Sequence, residues 1–198
     1  MFRKLILATP TLIVVAMPCV PFVASARADI PAAARLAMPG ANHKRLDALV
    51  GEWKVEMRVW PASGAQAITS TDLKATRTWV LGKRYLREDL SGTFAGNPSN
   101  RVAYFSFNNL EERFELTTID TFEPGQMWYT SHDAGKTDRI TLHGDNVEAG
   151  FGPKATGRKR ALRFNIEIAP TRSVQRIFVK YSGEPEFLFV EQIFTPLR

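Results

Sequence analysis

From Gly51 onward, apolar and polar residues alternate with a period of two. In the run 53–59, Trp53, Val55, Met57 and Val59 are apolar, while Lys54, Glu56 and Arg58 are charged. Such alternation describes a strand with one face buried and the other in water. The pattern recurs. Leu162, Phe164, Ile166 and Ile168 alternate with Arg163, Asn165 and Glu167, and Phe114, Leu116 and Thr118 with Arg113, Glu115 and Thr117. Further strands are expected near 71–81, 84–94, 101–107, 126–132, 138–143, 173–181 and 187–194. No spacing suits a crossover helix between parallel strands. The pattern predicts an all-β domain of about ten strands joined by short turns. A chain of adjacent hairpins favours an up-and-down antiparallel β-barrel, whose closure removes unpaired sheet edges.

Ahead of the strands the period is helical. A short helix is expected over Pro31 to Met38, stopped by Pro39-Gly40. A second is expected from an N-cap at Asn42, with Leu46, Leu49 and Val50 on one face and Gly51 at its end. One apolar face suits it to capping an end of the barrel. One hairpin can be read in detail. Leu81-Gly82-Lys83-Arg84 reads as a two-residue type II′ turn with Gly82 at positive φ. The register then sets Trp79 opposite Leu86, Arg77 opposite Glu88 and Ala75 opposite Leu90. Leu73, Ala75, Trp79, Leu81, Leu86 and Leu90 fall on one face, and Arg77 and Glu88 fall on it with them.

Composition changes this picture at the N-terminus. Residues 1–28 read as a secretory signal: Arg3 and Lys4, then an apolar run from Leu5 to Val23, then small-x-small sites ending at Ala26 and Ala28. Pro10, Pro18 and Pro21 argue against a membrane-spanning helix in that run. The expected product is a periplasmic or secreted protein. Its N-terminal extension covers 29–41 and its barrel domain 42–198, with no membrane span after cleavage. The single cysteine, Cys19, lies inside the signal, so the mature chain has neither a disulfide nor a thiol nucleophile. The formal charge of +6 falls to +3 without Arg3, Lys4 and Arg27, too weak an excess for a nucleic-acid partner. Lys154, Arg158, Lys159 and Arg160 cluster among Gly, Pro and Thr, as in a solvated loop.

The stretch Leu49-Val50-Gly51-Glu52-Trp53-Lys54 resembles the opening G-x-W strand of calycins, the superfamily of lipocalins and fatty-acid-binding proteins. The longer pattern is more specific. It runs through Arg77-Thr78-Trp79-Val80-Leu81-Gly82-Lys83-Arg84-Tyr85-Leu86, Phe107-Asn108-Asn109 and Ile119-Asp120, and resembles the bacterial domain of unknown function 1579. That resemblance covers the mature domain from about Pro39. It implies a calycin-like barrel in an exported protein and no established activity. Heme-binding relatives in the superfamily continue the first strand as G-x-W-x-G-x-G. Here Lys54-Val55-Glu56 follows, which weakens a heme reading, and no cofactor is expected.

Ionisable residues on apolar faces are the most informative chemistry. Besides Arg77 and Glu88, Asp120 follows Phe114, Leu116 and Thr118 on their face. Arg176 shares a face with Val174 and Phe178, and Glu191 with Phe187, Phe189 and Ile193. Inside a barrel such groups must be paired, hydrated or bound to ligand. An internal Arg77 could hold a carboxylate through forked hydrogen bonds; equally, Arg77 and Glu88 could satisfy each other. Trp79, Tyr104 and either Trp128 or Tyr129 are candidates for a cavity wall. Of the histidines, His43 and His143 read as exposed, and His132 could point inward beside Trp128. No second spaced ligand marks a metal site.

The leading expectation is therefore a binder of a small apolar or amphipathic molecule. Its site would draw on Arg77, Trp79, Glu88, Tyr104, Asp120, Trp128 and His132 around a cavity of a few hundred Å³. A hydratase, isomerase or cyclase using Asp120, Glu88 or His132 is the enzymatic alternative. No nucleophile, metal or phosphate-loop motif supports a named reaction. A ligand-free structural or interaction barrel is the third reading, with Trp60, on the charged face of the first strand, as its marker.

Overall fold

The computed structural model describes residues 31–131, 138–149, 157–169 and 171–197. Helix α1 spans Ala32–Leu36. Helix α2 spans Ala41–Lys44 and runs into a 3-10 turn at Arg45–Leu49. Ten strands follow: β1 Gly51–Val59, β2 Ile68–Val80, β3 Tyr85–Phe94, β4 Asn97–Asn108, β5 Arg113–Asp120, β6 Met127–Ser131, β7 Arg139–Val147, β8 Lys159–Glu167, β9 Ser173–Tyr181 and β10 Phe187–Pro196. Each pairs antiparallel with its neighbours in sequence, and β10 returns to β1. The result is the closed up-and-down barrel that the alternation predicts.

The first strand shows why the pattern was legible. Trp53, Val55, Met57 and Val59 point inward and are 7% exposed or less. Trp53 also fixes the helix to the strand. Its indole Nε1–H donates to the Leu49 carbonyl at 2.9 Å, so the aromatic body is buried while its polar atom is satisfied. Leu46 and Leu49 are fully buried and join Leu86, Phe105, Phe107 and Phe114 in the core at that end. The helix is capped differently from expectation. Gly40, not Asn42, is the N-cap, and its N–H donates to His43 Nδ1 at 3.1 Å. His43 is therefore not exposed: it is 3% exposed, edge-on to Phe107.

The β2–β3 register is the one read from the hairpin: Ala75 faces Leu90, Arg77 faces Glu88 and Trp79 faces Leu86. The turn itself differs. Pairing stops at Val80 and Tyr85, and Gly82 and Lys83 both have positive φ, 67° and 65°. Positive φ at both central residues is the type I′ sense, not II′. Leu81, also at positive φ, projects outward and is 66% exposed, so it leaves the inner face. Farther along, Gly92 lies under β2, which carries an extra residue against β1 near Asp72. A Cβ on Gly92 would sit 1.9 Å from the Asp72 carbonyl oxygen, so only glycine permits this approach.

Two expected inward charges face outward. In β10 the register jumps between Leu188 and Val190, leaving Phe189 as an extra residue against β9. Phe187 and Phe189 pack inward before the bulge, and Val190, Gln192 and Phe194 after it. Glu191 and Ile193 are thereby turned outside. On β9 the inward set is Gln175, Ile177 and Val179, so Arg176 is outside as well. There Arg176 Nε donates to Glu191 at 2.7 Å and Nη1 to Glu167 at 2.9 Å. The same outer face carries Arg58–Glu191 and Arg139–Glu167 contacts, a ladder of ion pairs across five strands.

Candidate functional site

The paired registers arrange inward residues in rows around half of the barrel. One row is Trp79–Leu86–Phe105–Leu116–Tyr129. The next, farther from the helix, is Arg77–Glu88–Ala103–Thr118–Met127, and the third is Ala75–Leu90–Arg101–Asp120. On β2 and β3 the ions lie between two apolar groups. Leu86 belongs to the cluster against the helix; Ala75 and Leu90 belong to the other, with Met57, Val59 and Phe94.

Arg77 and Glu88 are both fully buried. Arg77 Nε donates to Glu88 Oε2 at 2.7 Å. Its Nη2 lies 2.7 Å from the same oxygen without hydrogen-bond alignment, and Nη1 has no acceptor among the described residues. The guanidinium lies over the Phe194 ring, 3.9 Å from its centroid, which gives it a cation–π contact in place of water. The second carboxylate oxygen of Glu88 is taken by Arg101, whose Nε and Nη2 donate at 3.0 and 2.5 Å. Burial alone would raise the Glu88 pKa. The charges and hydrogen bonds of Arg101 and Arg77 outweigh it and hold the carboxyl below its ordinary range. Burial pulls Arg77 down against the opposing pull of Glu88.

Beyond Arg101, away from the helix, a cavity of about 100 Å³ opens inside the barrel. Its walls include Met57, Leu90, Phe94, Leu162, Ile177 and Phe189, together with Tyr129 and Gln192. Arg101, Asp120, Glu123 and Arg160 supply its charges. Arg160 donates through Nη2 to Glu123 and through Nε to Asn146 Oδ1 at 2.8 Å, and Nη1 lies 3.7 Å from Glu148. Glu148 in turn accepts the Tyr181 hydroxyl at 2.5 Å. Burial raises the Glu123 pKa, with the Arg160 charge opposing. Asp120 Oδ1 accepts from the backbone N–H groups of Phe122 and Glu123 at 2.8 and 2.9 Å, which shapes the turn after β5.

The structure gathers some of the expected site residues and disperses others. Arg77, Glu88 and Asp120 point inward as expected, but only Asp120 touches the cavity. Trp79 packs at the helix end, where its Nε1–H donates to Asp47 at 2.8 Å. Tyr104 alternates with buried Ala103 and Phe105, and so faces outward, opposite Arg87. Trp128 is 63% exposed on the outer surface; Tyr129 is its inward alternative, at 2%. His132 lies outside the described residues, as does Lys154. The basic cluster is not a solvated loop throughout. Arg160 is 3% exposed and lies inside the barrel, while Arg158 pairs with Glu184 and Lys159 with Asp145 on the outside. The cavity is also smaller than expected, and neither Arg77 nor Trp79 lines it.

Arg101 and Arg160 were missed, although periodicity marks both. Arg101 has the parity of Ala103, Phe105 and Phe107, and Arg160 that of Leu162, Phe164 and Ile166. Arg101 already opens the strand expected at 101–107, and one step back from Leu162 reaches Arg160.

These features define a class: a closed ten-stranded antiparallel barrel, plugged by a helix at one end, with ions between its apolar layers and a cavity beyond them. Within that class the chain belongs to the protein family of unknown function DUF1579, which matches residues 38–180. It is also similar to the crystal structure of Rv2717c from M. tuberculosis, with a TM-score of 0.58 and 14% identity, over 80% of this chain and 99% of that one. At that identity the likeness bears on the fold alone. None of the curated proteins compared matches the chain.

Proposed function

We propose that the protein is an exported carrier or receptor for a small apolar or amphipathic molecule held inside the barrel. The observation that carries this reading is the cavity beyond Arg101, whose walls are aromatic and aliphatic side chains and whose few polar groups converge from β4, β5 and β8. At about 100 Å³ it suits a short chain or a single ring. Export rests on the signal-like residues 1–28 and predicts a mature chain beginning at Asp29.

The acid–base alternative has less support. Glu88 is sealed between two arginines and does not reach the cavity, and Asp120 has one oxygen committed to backbone donors. For an interaction role, Trp60 is half-buried beside Phe187 and Leu188, tied by its backbone N–H to the Phe189 carbonyl. It is part of the barrel rim and not a free-standing apolar patch.

Native mass spectrometry of the protein purified from its own envelope tests the reading. The expected spectrum shows a small-molecule adduct on a chain starting at Asp29, and loss of that adduct in Leu162→Phe, which fills the cavity. A wild-type protein that emerges bare and also fails to bind a fluorescent apolar probe would overturn it.

A further inference from the structure

Four charged side chains line the cavity: Arg101, Asp120, Glu123 and Arg160, two of each sign. Glu123 and Arg160 form an ion pair with each other. Arg101 and Asp120 do not, although they stand directly opposite on β4 and β5 and both point inward. Each is held elsewhere by part of its head group. Arg101 commits Nε and Nη2 to Glu88, with Nη2 also 3.4 Å from Gln175 Oε1, and none of its hydrogen bonds among the described residues uses Nη1. Asp120 commits Oδ1 to the backbone N–H groups of Phe122 and Glu123, and its Oδ2 accepts from none of the described residues. The cavity wall therefore carries one guanidinium nitrogen and one carboxylate oxygen, side by side in register and not joined to each other.

A donor fixed beside an acceptor is complementary to a ligand that brings the converse, an acceptor beside a donor. Charge narrows the choice. A carboxylate that meets Arg101 sets its second oxygen against Asp120, and an ammonium that meets Asp120 stands against Arg101. Either brings like charges together where water screens them poorly. Glu148, 3.7 Å behind Arg160, adds a further acid and weighs against an anion. An uncharged head group meets neither penalty. Building on the reading that the cavity holds a small molecule, we infer that this molecule carries a neutral amide, primary or lactam, whose C=O and N–H lie on one side. The C=O accepts from Arg101 Nη1, the N–H donates to Asp120 Oδ2, and the apolar part lies among Leu90, Phe94, Leu162 and Ile177. Glu88 and the turn after β5 orient the two groups before any ligand arrives.

Calorimetric titration of the mature protein with pentanamide, pentanoate and pentylamine at neutral pH tests the assignment. The three share a five-carbon chain and differ in the head group. Pentanamide is expected to bind at least roughly tenfold more tightly than either charged ligand. Asp120→Asn supplies the sharper test. Its Oδ1 still caps the turn, but an NH₂ group replaces Oδ2, so two donors then face the ligand. The order of pentanamide and pentanoate should reverse, an outcome that a merely structural Asp120 would not produce. Asp120→Ser, whose hydroxyl can also cap the turn, should shift the ratio the same way and serves if Asp120→Asn does not fold. Wild-type protein that binds pentanoate or pentylamine as tightly as pentanamide overturns the neutral-amide assignment while the cavity reading stands. A preference for pentanamide that is unchanged in both Asp120 variants overturns the pairing of Arg101 with Asp120 as its site. Failure of all three ligands to bind overturns the cavity reading and this inference with it.

Discussion

Replacing Glu88 with Gln removes the one negative charge between Arg77 and Arg101 and changes almost nothing else in shape. Glu88 is fully buried and accepts three N–H bonds, at 2.7, 3.0 and 2.5 Å. Gln retains one acceptor oxygen but turns an NH₂ group toward guanidinium donors. Two buried cations are then left without a counter-charge. Breaking a buried ion pair on one side costs about 3–5 kcal/mol. For a domain of this size each kcal/mol moves the melting temperature by about 2–4 °C, so a loss of roughly 6–20 °C is expected. Removing the whole cluster in Arg77→Met, Glu88→Leu, Arg101→Met should recover at least half of that loss, because no buried charge is then stranded. Since the folded-state pKa of Glu88 lies below its ordinary 4.5, its contribution is fully present above that pH. It is lost as pH falls through the lowered folded value, where wild type acquires the proton that makes it resemble Gln. Differential scanning calorimetry and urea unfolding across this range provide the assay. A shift below about 2 °C at pH 7, or a triple variant no better than Glu88→Gln, would refute the claim that charge balance holds this layer together.

Gly92→Ala should destabilise the barrel by more than about 3 kcal/mol, since the added Cβ meets the Asp72 carbonyl at 1.9 Å and the backbone φ is 151°; a urea midpoint within error of wild type would contradict this. Trp128 and Tyr129 give a paired test of which aromatic is inside. Trp128→Ala should alter stability by less than about 0.5 kcal/mol, and Tyr129→Ala should cost about 3–5 kcal/mol. Thermal melts showing the reverse order would place β6 in the opposite register.

The parts of the molecule that were legible in its residues are those where period two runs unbroken. In β1, β3, β5 and β8, and in β2 past its bulge at Asp72, one face is mostly apolar, and a one-residue slip would expose it. The register therefore follows from hydrophobicity, and Arg77 opposite Glu88 follows from the register. The misreadings sit where a local event resets the parity. At Phe189 a bulge turns Glu191 from the inner face to the outer, and nothing in Phe187-Leu188-Phe189-Val190 distinguishes the extra residue from its neighbours. On β9 the inner face carries Gln175, so the more apolar-looking set of Val174 and Phe178 is in fact the outside, covered in part by Arg163 lying 3.9 Å over the Phe178 ring. Long arginine stems disguise outer faces as apolar ones. In the site, Asp120 was accessible to this reasoning and Tyr104 was not, because Val102 and Tyr104 make the outer face of β4 look as apolar as the inner face of Ala103, Phe105 and Phe107.

Arginines on the inner face invite assignment to a ligand, and the structure separates those that reach the cavity from those that do not. Arg77 lies one row nearer the helix than Arg101. Phe194 stacks on it, Glu88 neutralises it, and it has no wall on the cavity. Such a group anchors the barrel's own charge balance; to release it for a ligand would strand Glu88 beside Arg101 alone. Arg101 is placed differently. It shares Glu88, so its orientation is fixed before any ligand arrives, and it still presents to the cavity, where its side chain is 10% exposed. Preorganisation of this kind reduces the ordering cost of binding, which falls heavily on a flexible side chain like arginine. The buried pair and the binding reading are thus not competing accounts of one charge. The inner arginine sets the carboxylate, the carboxylate sets the outer arginine, and only the last of the three faces the space where a molecule can enter.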